Sequence, residues 1–306
     1  MSFSMESHVV PGARFVDPKI LSRIRNLELL ARTVVEGFIN GLHRAPYFGA
    51  SIDFAEHRGY VPGDDIRRVD WRLFARTDKF YVKQYEADTN ANFMVLFDIS
   101  KSMSFGSHAV TKIEYASYVA ACLAYLAHRQ RDRVGIVTFD QDIVNYVPPS
   151  AKHFNVLLHT LDRAKPERPG RMLAPLDKIA EHFKRKSLVA LISDFYENPD
   201  DVLEALKPYR FHGNDVVVFH VLDPAEIDFP YTDASRFEDL ESGEEIPVIP
   251  SSFADEYRKM IKEHIEKLTT KFSEARIDYV LLNTSKPLDE ALFTYLGTRE
   301  RMMKVR

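Results

Sequence analysis

Three oxygen-bearing side chains alternate along the chain directly after an apolar run. Asp98, Ser100 and Ser102 follow residues 93–97, which read Phe-Met-Val-Leu-Phe. Such a run is typical of a buried strand, so the polar residues are expected just beyond its carboxyl end. Carboxylate and hydroxyl oxygens are ligands for Mg²⁺, which keeps several waters in protein sites. With one charged ligand, this segment would hold the ion weakly and leave positions open for an acidic group of a partner.

The same residue types have a second use. Asp and Ser cap helices and satisfy loop amides, so the spacing alone leaves open a purely structural role for Asp98 and the two serines.

A second carboxylate favours a metal site over a purely helix-capping role. Asp194 follows another apolar run, residues 187–192, after the intervening Ser193. In open α/β sheets, ligands bind beyond the carboxyl ends of the strands. If the two strands are neighbours, Asp98 and Asp194 meet above the sheet. Taken alone, Asp194 is also a residue that starts a helix.

Strands and helices alternate from residue 93 onwards. The predicted strands are 93–97, 134–139, 187–192, 216–221 and 277–282, and the predicted helices are 112–129, 154–164, 173–184, 199–209 and 253–274. This order predicts an α/β fold with a doubly wound, mostly parallel sheet covered on both faces. Residues 143–147 are expected to add an antiparallel edge strand, and a hairpin insertion is expected at about 225–250.

The first 90 residues differ in character. The apolar spacing predicts a helix over 18–39, a second helix after Asp64-Asp65, and a strand over 80–86. We therefore predict an N-terminal helical and β appendage, residues 1–90, and an α/β domain, residues 91–306.

Composition limits the function classes. The net charge of −4 over 306 residues argues against a general nucleic-acid surface, and residues 53–86 balance seven Lys/Arg with seven Asp/Glu. The one cysteine, Cys122, fits a reducing compartment. No apolar run approaches the roughly 18 residues that span a bilayer. Since the N-terminus also lacks a signal-peptide pattern, we expect a cytoplasmic protein without a membrane span.

An acidic excess lies between residues 223 and 245, where nine Asp/Glu accompany one arginine. Such a run is usually a solvated loop face, and it could also steer a basic partner.

Motifs for enzymatic chemistry do not occur. The sequence has no Walker-type phosphate loop, no His-Glu-x-x-His and no Gly-x-Ser-x-Gly. No complete catalytic constellation is visible, so a non-enzymatic role is expected. The alternative is a Mg²⁺-dependent phosphoryl-transfer enzyme or hydrolase, in which Asp98 or Asp194 would be the nucleophile or base and Lys101 would lie nearby.

A family resemblance sharpens these expectations. Asp98, Ser100, Ser102 and Asp194 resemble the metal-ion-dependent adhesion site of von Willebrand factor A domains. Residues 54–77 are similar to the signature of bacterial "domain of unknown function 58" (DUF58) proteins and read Phe-Ala-Glu-His-Arg-Gly-Tyr-Val-Pro-Gly-Asp-Asp-Ile-Arg-Arg-Val-Asp-Trp-Arg-Leu-Phe-Ala-Arg-Thr. The segments 236–240, 243–244 and 277–284 are also similar to that family.

The resemblance covers the chain from about residue 20. It implies an A-type α/β domain that is paired with a MoxR-type AAA+ ATPase in the assembly, maturation or metal insertion of other proteins.

One position departs from the adhesion-site pattern. Such sites normally add a threonine where this chain has Arg171, in the sequence Pro169-Gly170-Arg171. A guanidinium carries only donors and cannot ligate a metal. If it pointed inward it would repel Mg²⁺ and could pair with Asp98 or Asp194. A structural domain with a decayed metal site is therefore a third alternative.

The leading interpretation is a protein-interaction module that acts as an adaptor or co-chaperone of the ATPase. The resemblance implies Mg²⁺, for which Mn²⁺ or Ca²⁺ could substitute, at the four adhesion-site residues. Lys101 and Arg171 are expected to contact the partner or to modulate the site. The expected partner is the ATPase or its client.

Overall fold

The structure, a computed structural model, describes residues 17–44, 56–60, 71–84, 91–183, 186–233, 235–240 and 242–304. Contacts group the described residues of 36–84 into a smaller unit, and residues 17–35 with 91–304 into a larger one. The division at residue 90 stays a prediction.

The N-terminal helical segment is two helices, so the single predicted helix over 18–39 is wrong. Helix α1 spans Pro18–Leu21 and α2 spans Leu27–Arg44. Asn26 explains the break, because its side chain accepts a hydrogen bond from the backbone N–H of Leu29 at 2.9 Å and so starts a new helix.

The smaller unit contains a two-stranded antiparallel sheet. It is formed by β1 (Glu56–Gly59) and β2 (Tyr81–Gln84), and α3 (Trp71–Thr77) lies between them in sequence. Phe74 stacks on Phe80 with ring centroids 4.4 Å apart. The predicted strand over 80–86 is confirmed for Tyr81–Gln84. Residues 61–70, where the second predicted helix begins, and residues 85–86 lie outside the described residues.

The larger unit is built on a six-stranded sheet. Its strands and those of a separate hairpin are β3 (Asn92–Asp98), β4 (Arg133–Phe139), β5 (Ile143–Ser150), β6 (Ser187–Ser193), β7 (Asp215–Leu222), β8 (Ser235–Glu238), β9 (Glu245–Val248) and β10 (Asp278–Asn283). The order in the sheet is β10-β7-β6-β3-β4-β5, and every neighbouring pair is parallel except β4 and β5. Strands β8 and β9 form the predicted hairpin.

Helices cover both faces of this sheet, which confirms the predicted α/β class. They are α4 (Lys112–Arg129), α5 (Phe154–Asp162), α6 (Leu173–Ala180), α7 (Pro199–Phe211), α8 (Pro224–Asp228), α9 (Pro250–Glu274) and α10 (Asp289–Lys304). One face packs Met94 and Leu96 against α6, α7 and α9. On the other face Phe93 meets Tyr295 of α10 edge-to-face, at 5.3 Å between ring centroids. Among the described helices, none is long and apolar enough to cross a bilayer.

Helix α4 begins at the buried Lys112. Thr111 and Glu114 form a capping box ahead of it, in which each side chain binds the other's backbone N–H. The cap fixes where the helix starts and therefore where the Lys112 side chain leaves the backbone.

Strand β5 is the antiparallel edge predicted over 143–147. Its pairing with β4 shifts register between Val134 and Ile136, beside Pro148 and Pro149. Gly135 lies at this irregularity. A Cβ on it would come within 2.6 Å of the Val147 carbonyl oxygen and 2.9 Å of the Pro149 nitrogen. The close approach of the two strands therefore requires glycine.

Candidate metal and partner-binding site

The sheet brings the two predicted carboxylates to one edge. Strands β3 and β6 are parallel neighbours, and Phe97 pairs with Ile192 at their carboxyl ends. Asp98 and Asp194 are 5% and 3% exposed, and their charges interact strongly enough to shift the pKa of Asp98. The arrangement expected from the sequence, in which these residues meet above the sheet, is therefore present.

Hydrogen bonds fix the Asp98 carboxylate. Its Oδ1 accepts from the backbone N–H of Ser100 at 2.7 Å, and its Oδ2 accepts from the Ser193 hydroxyl at 2.5 Å. Ser193 is a site residue that the sequence reasoning missed. A hydroxyl directly before the predicted Asp194 position, at the end of an apolar run, was the available signal.

The two serines are spaced as metal ligands would be. The Ser100 and Ser102 hydroxyls are hydrogen-bonded to each other, with their oxygens 3.1 Å apart, at the start of a 3₁₀ turn, Lys101–Ser104. Two ligands at right angles around an ion about 2.1 Å away would be roughly 3.0 Å apart. The described residues include no group of three or more His, Cys, Asp or Glu arranged to hold a metal. A divalent ion at this site would therefore need the two serine hydroxyls as ligands beside the carboxylate, and their spacing fits that role.

A second loop supports the serines. Ser100 forms a β-bridge with Arg168, and the Lys101 N–H donates to the Arg168 carbonyl at 2.8 Å. Gly170 packs against Ser100 so closely that a Cβ on it would lie 2.5 Å from the Ser100 Cβ. The loop therefore holds Ser100 in position by direct contact.

This contact predicts the effect of Gly170→Ala. The added methyl should displace Ser100, lowering the free energy of unfolding by about 1–3 kcal/mol and weakening any divalent-ion binding. Urea unfolding and Mn²⁺ titration measure the two effects. In the double variant Ser100→Gly/Gly170→Ala, the new methyl takes the space that the Ser100 side chain has left, so the stability should recover. Ion binding should not recover, because the Ser100 hydroxyl is gone. Full stability in the single variant contradicts the described packing.

Arg171 lies beside a different carboxylate. It is exposed, its N–H donates to the Asp140 carbonyl at 3.2 Å, and its charge opposes the rise that burial causes in the pKa of Glu197. The ion pair that the sequence allowed between Arg171 and Asp194 is made instead by Lys112, which the sequence reasoning missed.

Lys112 bridges two carboxylates from distant segments. Its Nζ donates to Asp194 Oδ2 and to Glu226 Oε1, both at 2.7 Å, and its side chain is completely buried. Burial alone would lower the pKa of Lys112, but the two negative charges raise it above its ordinary value. A cation in the first turn of a helix opposes the helix dipole. Lys112 directly after a capping threonine was therefore a signal that the sequence contained.

Glu226 comes from the acidic stretch read as a solvated face. That interpretation is wrong for the first residues of the stretch, because Asp223 is completely buried and Glu226 pairs with Lys112. The two residues also form a capping box at α8.

The environment of Asp98 raises its pKa to about 7. Burial is the largest cause and the neighbouring charge of Asp194 adds to it, whereas hydrogen bonds from Ser193 and Ser100 oppose the shift. In the metal-free state this carboxyl group therefore holds its proton to higher pH than an exposed aspartate.

This shift predicts a pH dependence of stability. Without divalent ions, the folded state binds a proton at Asp98 that the unfolded state has lost, so the contribution of Asp98 is present below about pH 4 and is lost as pH rises towards 7. Asp98→Asn should therefore gain stability relative to the wild type across this window, as measured by urea unfolding in EDTA. Asp142→Asn, at an exposed carboxylate, controls for the lost charge. A difference that stays constant with pH contradicts the prediction.

Comparison with known proteins identifies the family. Residues 56–267 match the model of a family described as protein of unknown function DUF58. The chain belongs to the DUF58 family. This DUF58 chain is also 29% identical over 233 residues to the uncharacterized protein Rv1480 of Mycobacterium tuberculosis, covering 74% of the chain and 73% of that protein. The uncharacterized protein Mb1516 of Mycobacterium bovis matches with the same identity over the same length.

Solved structures that align with part of this DUF58 chain were also found. The conserved hypothetical protein BatB from Bacteroides thetaiotaomicron is 16% identical, with a TM-score of 0.49, and covers 69% of this chain and 99% of its own. The SpRpn10 VWA domain is 12% identical, with a TM-score of 0.41, and covers 66% and 93%.

Proposed function

We propose that the chain is a non-enzymatic protein-interaction module whose binding site is the Asp98 crater, formed by Asp98, Ser100, Ser102 and Asp194. The observation that carries the proposal is the pair of serine hydroxyls, 3.1 Å apart, beside a carboxylate held by two hydrogen bonds. Mg²⁺ held by Asp98 and the two serines would attract an acidic group of the partner into a remaining coordination position.

The local charge supports a cation at this site. Lys112 pairs with Asp194 and Glu226, and Asp98 is a third acidic group, whose charge interacts with that of Asp194. Buried like charges are costly unless they are compensated. A divalent ion would offset the excess of two negative charges and place a cation where an acidic ligand can bind.

The partner is proposed from the family resemblance. A MoxR-type AAA+ ATPase, or its client, would present a carboxylate to the crater, with Lys101 at the rim. Such a partner would place the chain in the cytoplasm.

The enzyme alternative finds less support in the side-chain contacts. Both Asp98 oxygens accept hydrogen bonds, and Lys112 is engaged by two carboxylates. We expect no turnover in a phosphatase screen with Mg²⁺. Turnover that disappears in Asp98→Asn would establish an enzyme instead.

Metal titration and partner capture test the proposal together. We expect Mg²⁺ and Mn²⁺ to bind and to raise the melting temperature of the wild type, and Asp98→Asn to abolish both effects. We also expect the immobilised protein to retain an AAA+ ATPase in Mg²⁺ and to release it in EDTA, with mass spectrometry identifying the ATPase. Asp142→Asn is the matched control. If millimolar ion gives neither binding heat nor a thermal shift, the metal site is contradicted. If Asp98→Asn still retains the ATPase, the Asp98 crater is not the partner-binding site.

A further inference from the structure

Beside the Asp98 crater lies a buried cation that the proposed function does not require. The Lys112 ammonium is 2.7 Å from one oxygen of Asp194 and one of Glu226, and it lies 4.9 Å from the centre of the Tyr196 ring. Its side chain is completely buried, and those of Asp194 and Glu226 are 4% and 12% exposed. The charges therefore interact with little screening by water.

Three separate elements build this arrangement. Lys112 opens α4, Asp194 follows β6, and Glu226 lies in the first turn of α8. The Lys112 N–H also donates to the Phe105 carbonyl at 2.8 Å, which ties the helix start to the loop after the serines. Burying a charged triad is costly, and apolar side chains of similar volume fill such space at least as well. Packing alone therefore does not account for the lysine.

We propose that Lys112 is a resident cation of the crater, which holds Asp194 in an ion pair and keeps that carboxylate from ligating the divalent ion. Asp98 is then the one charged ligand, and Ser100 and Ser102 supply neutral oxygens. Because affinity for hard cations grows with the number of charged ligands, the ion is held weakly. The acidic group of the partner then supplies a second charged ligand, so that ion and partner bind together. The inference rests on the proposed metal site.

Mn²⁺ alone is the probe, and the affected quantity is its dissociation constant. In Lys112→Met, Asp194 loses its ammonium partner and becomes available to the ion, so we expect binding at least about tenfold tighter than in the wild type. Glu226→Gln keeps the Lys112–Asp194 pair and should bind no more tightly than the wild type. Lys178→Met, at an exposed lysine paired with Asp142, is the matched control and should leave the affinity unchanged.

A second variant tests the same inference if Lys112→Met does not fold. Lys112→Met/Glu226→Gln removes one positive and one negative charge, so the cluster keeps its wild-type net charge. It should also bind Mn²⁺ more tightly than the wild type, and Mn²⁺ should raise its melting temperature by more.

The outcomes separate this inference from the proposed function. Equal affinity in the wild type and the lysine variants overturns the role of Lys112 and leaves the metal site in place. Binding by the lysine variants without binding by the wild type supports the role of Lys112 and overturns the metal part of the proposed function. Failure of every variant to bind Mn²⁺ overturns both.

Discussion

Lys112→Met is expected to lower the free energy of unfolding by about 3–5 kcal/mol when divalent ions are absent. The variant keeps the volume of the side chain but leaves Asp194 and Glu226 buried and facing each other without the ammonium that now lies 2.7 Å from both. The expected loss comes from two uncompensated charges rather than from a cavity. Urea unfolding in EDTA at neutral pH measures it.

The double variant Lys112→Met/Asp194→Asn distinguishes charge from packing. Removing one of the two carboxylates should recover part of the loss, so the two changes should cost less together than the sum of their separate costs. Lys178→Met, whose side chain is 63% exposed, should change stability by no more than about 0.5 kcal/mol. If Lys112→Met is as stable as Lys178→Met, the buried ion pairs are not present in solution.

The second large effect is expected at the sheet edge. Gly135→Ala should destabilise the larger unit by about 3 kcal/mol, because the new methyl would lie 2.5 Å from the Met94 sulfur and 2.6 Å from the Val147 carbonyl oxygen. Backbone atoms of β5 cannot move aside as a flexible side chain would. We therefore expect β5 to separate from β4, with faster amide exchange along residues 143–150 than in the wild type.

Gly297→Ala is the control with the opposite sign. This glycine is exposed in α10, and nothing lies within 4 Å of the Cβ that alanine would add. Alanine favours the helix over glycine, so the change should stabilise by up to about 1 kcal/mol. Wild-type stability in Gly135→Ala would contradict the close approach of β4 and β5.

Strands were the most predictable part of this fold. Buried parallel strands are continuous apolar runs, so residues 93–97 predicted the interior of β3 to within one residue at each end. The helix break at Asn26 was less predictable, because the apolar spacing continues through residues 24 and 27 and only one side-chain hydrogen bond favours the interruption.

The candidate site was predictable to the extent that it follows from topology. Asp98 and Asp194 each follow an apolar run, and parallel strands bring such ends together. Lys112 and Glu226 lie 82 and 32 residues from Asp194, at the starts of helices. Local pattern explains Glu226 as an ordinary capping residue, whereas the position of Lys112 against the helix dipole marks it as unusual without naming its partners. Only the packing of α4 and α8 above β6 brings their charges together. Long-range electrostatics of this kind leaves little local trace in a sequence.

The two prolines in β5 have a consequence for how molecules of this protein meet one another. Pro148 and Pro149 have no amide proton to donate, and the Pro148 carbonyl is bound to the His153 ring at 2.7 Å. An approaching strand would therefore find no amide donor at either proline, and the Pro148 carbonyl is already engaged. This end of β5 resists the strand-by-strand polymerisation to which an open β-ladder is prone.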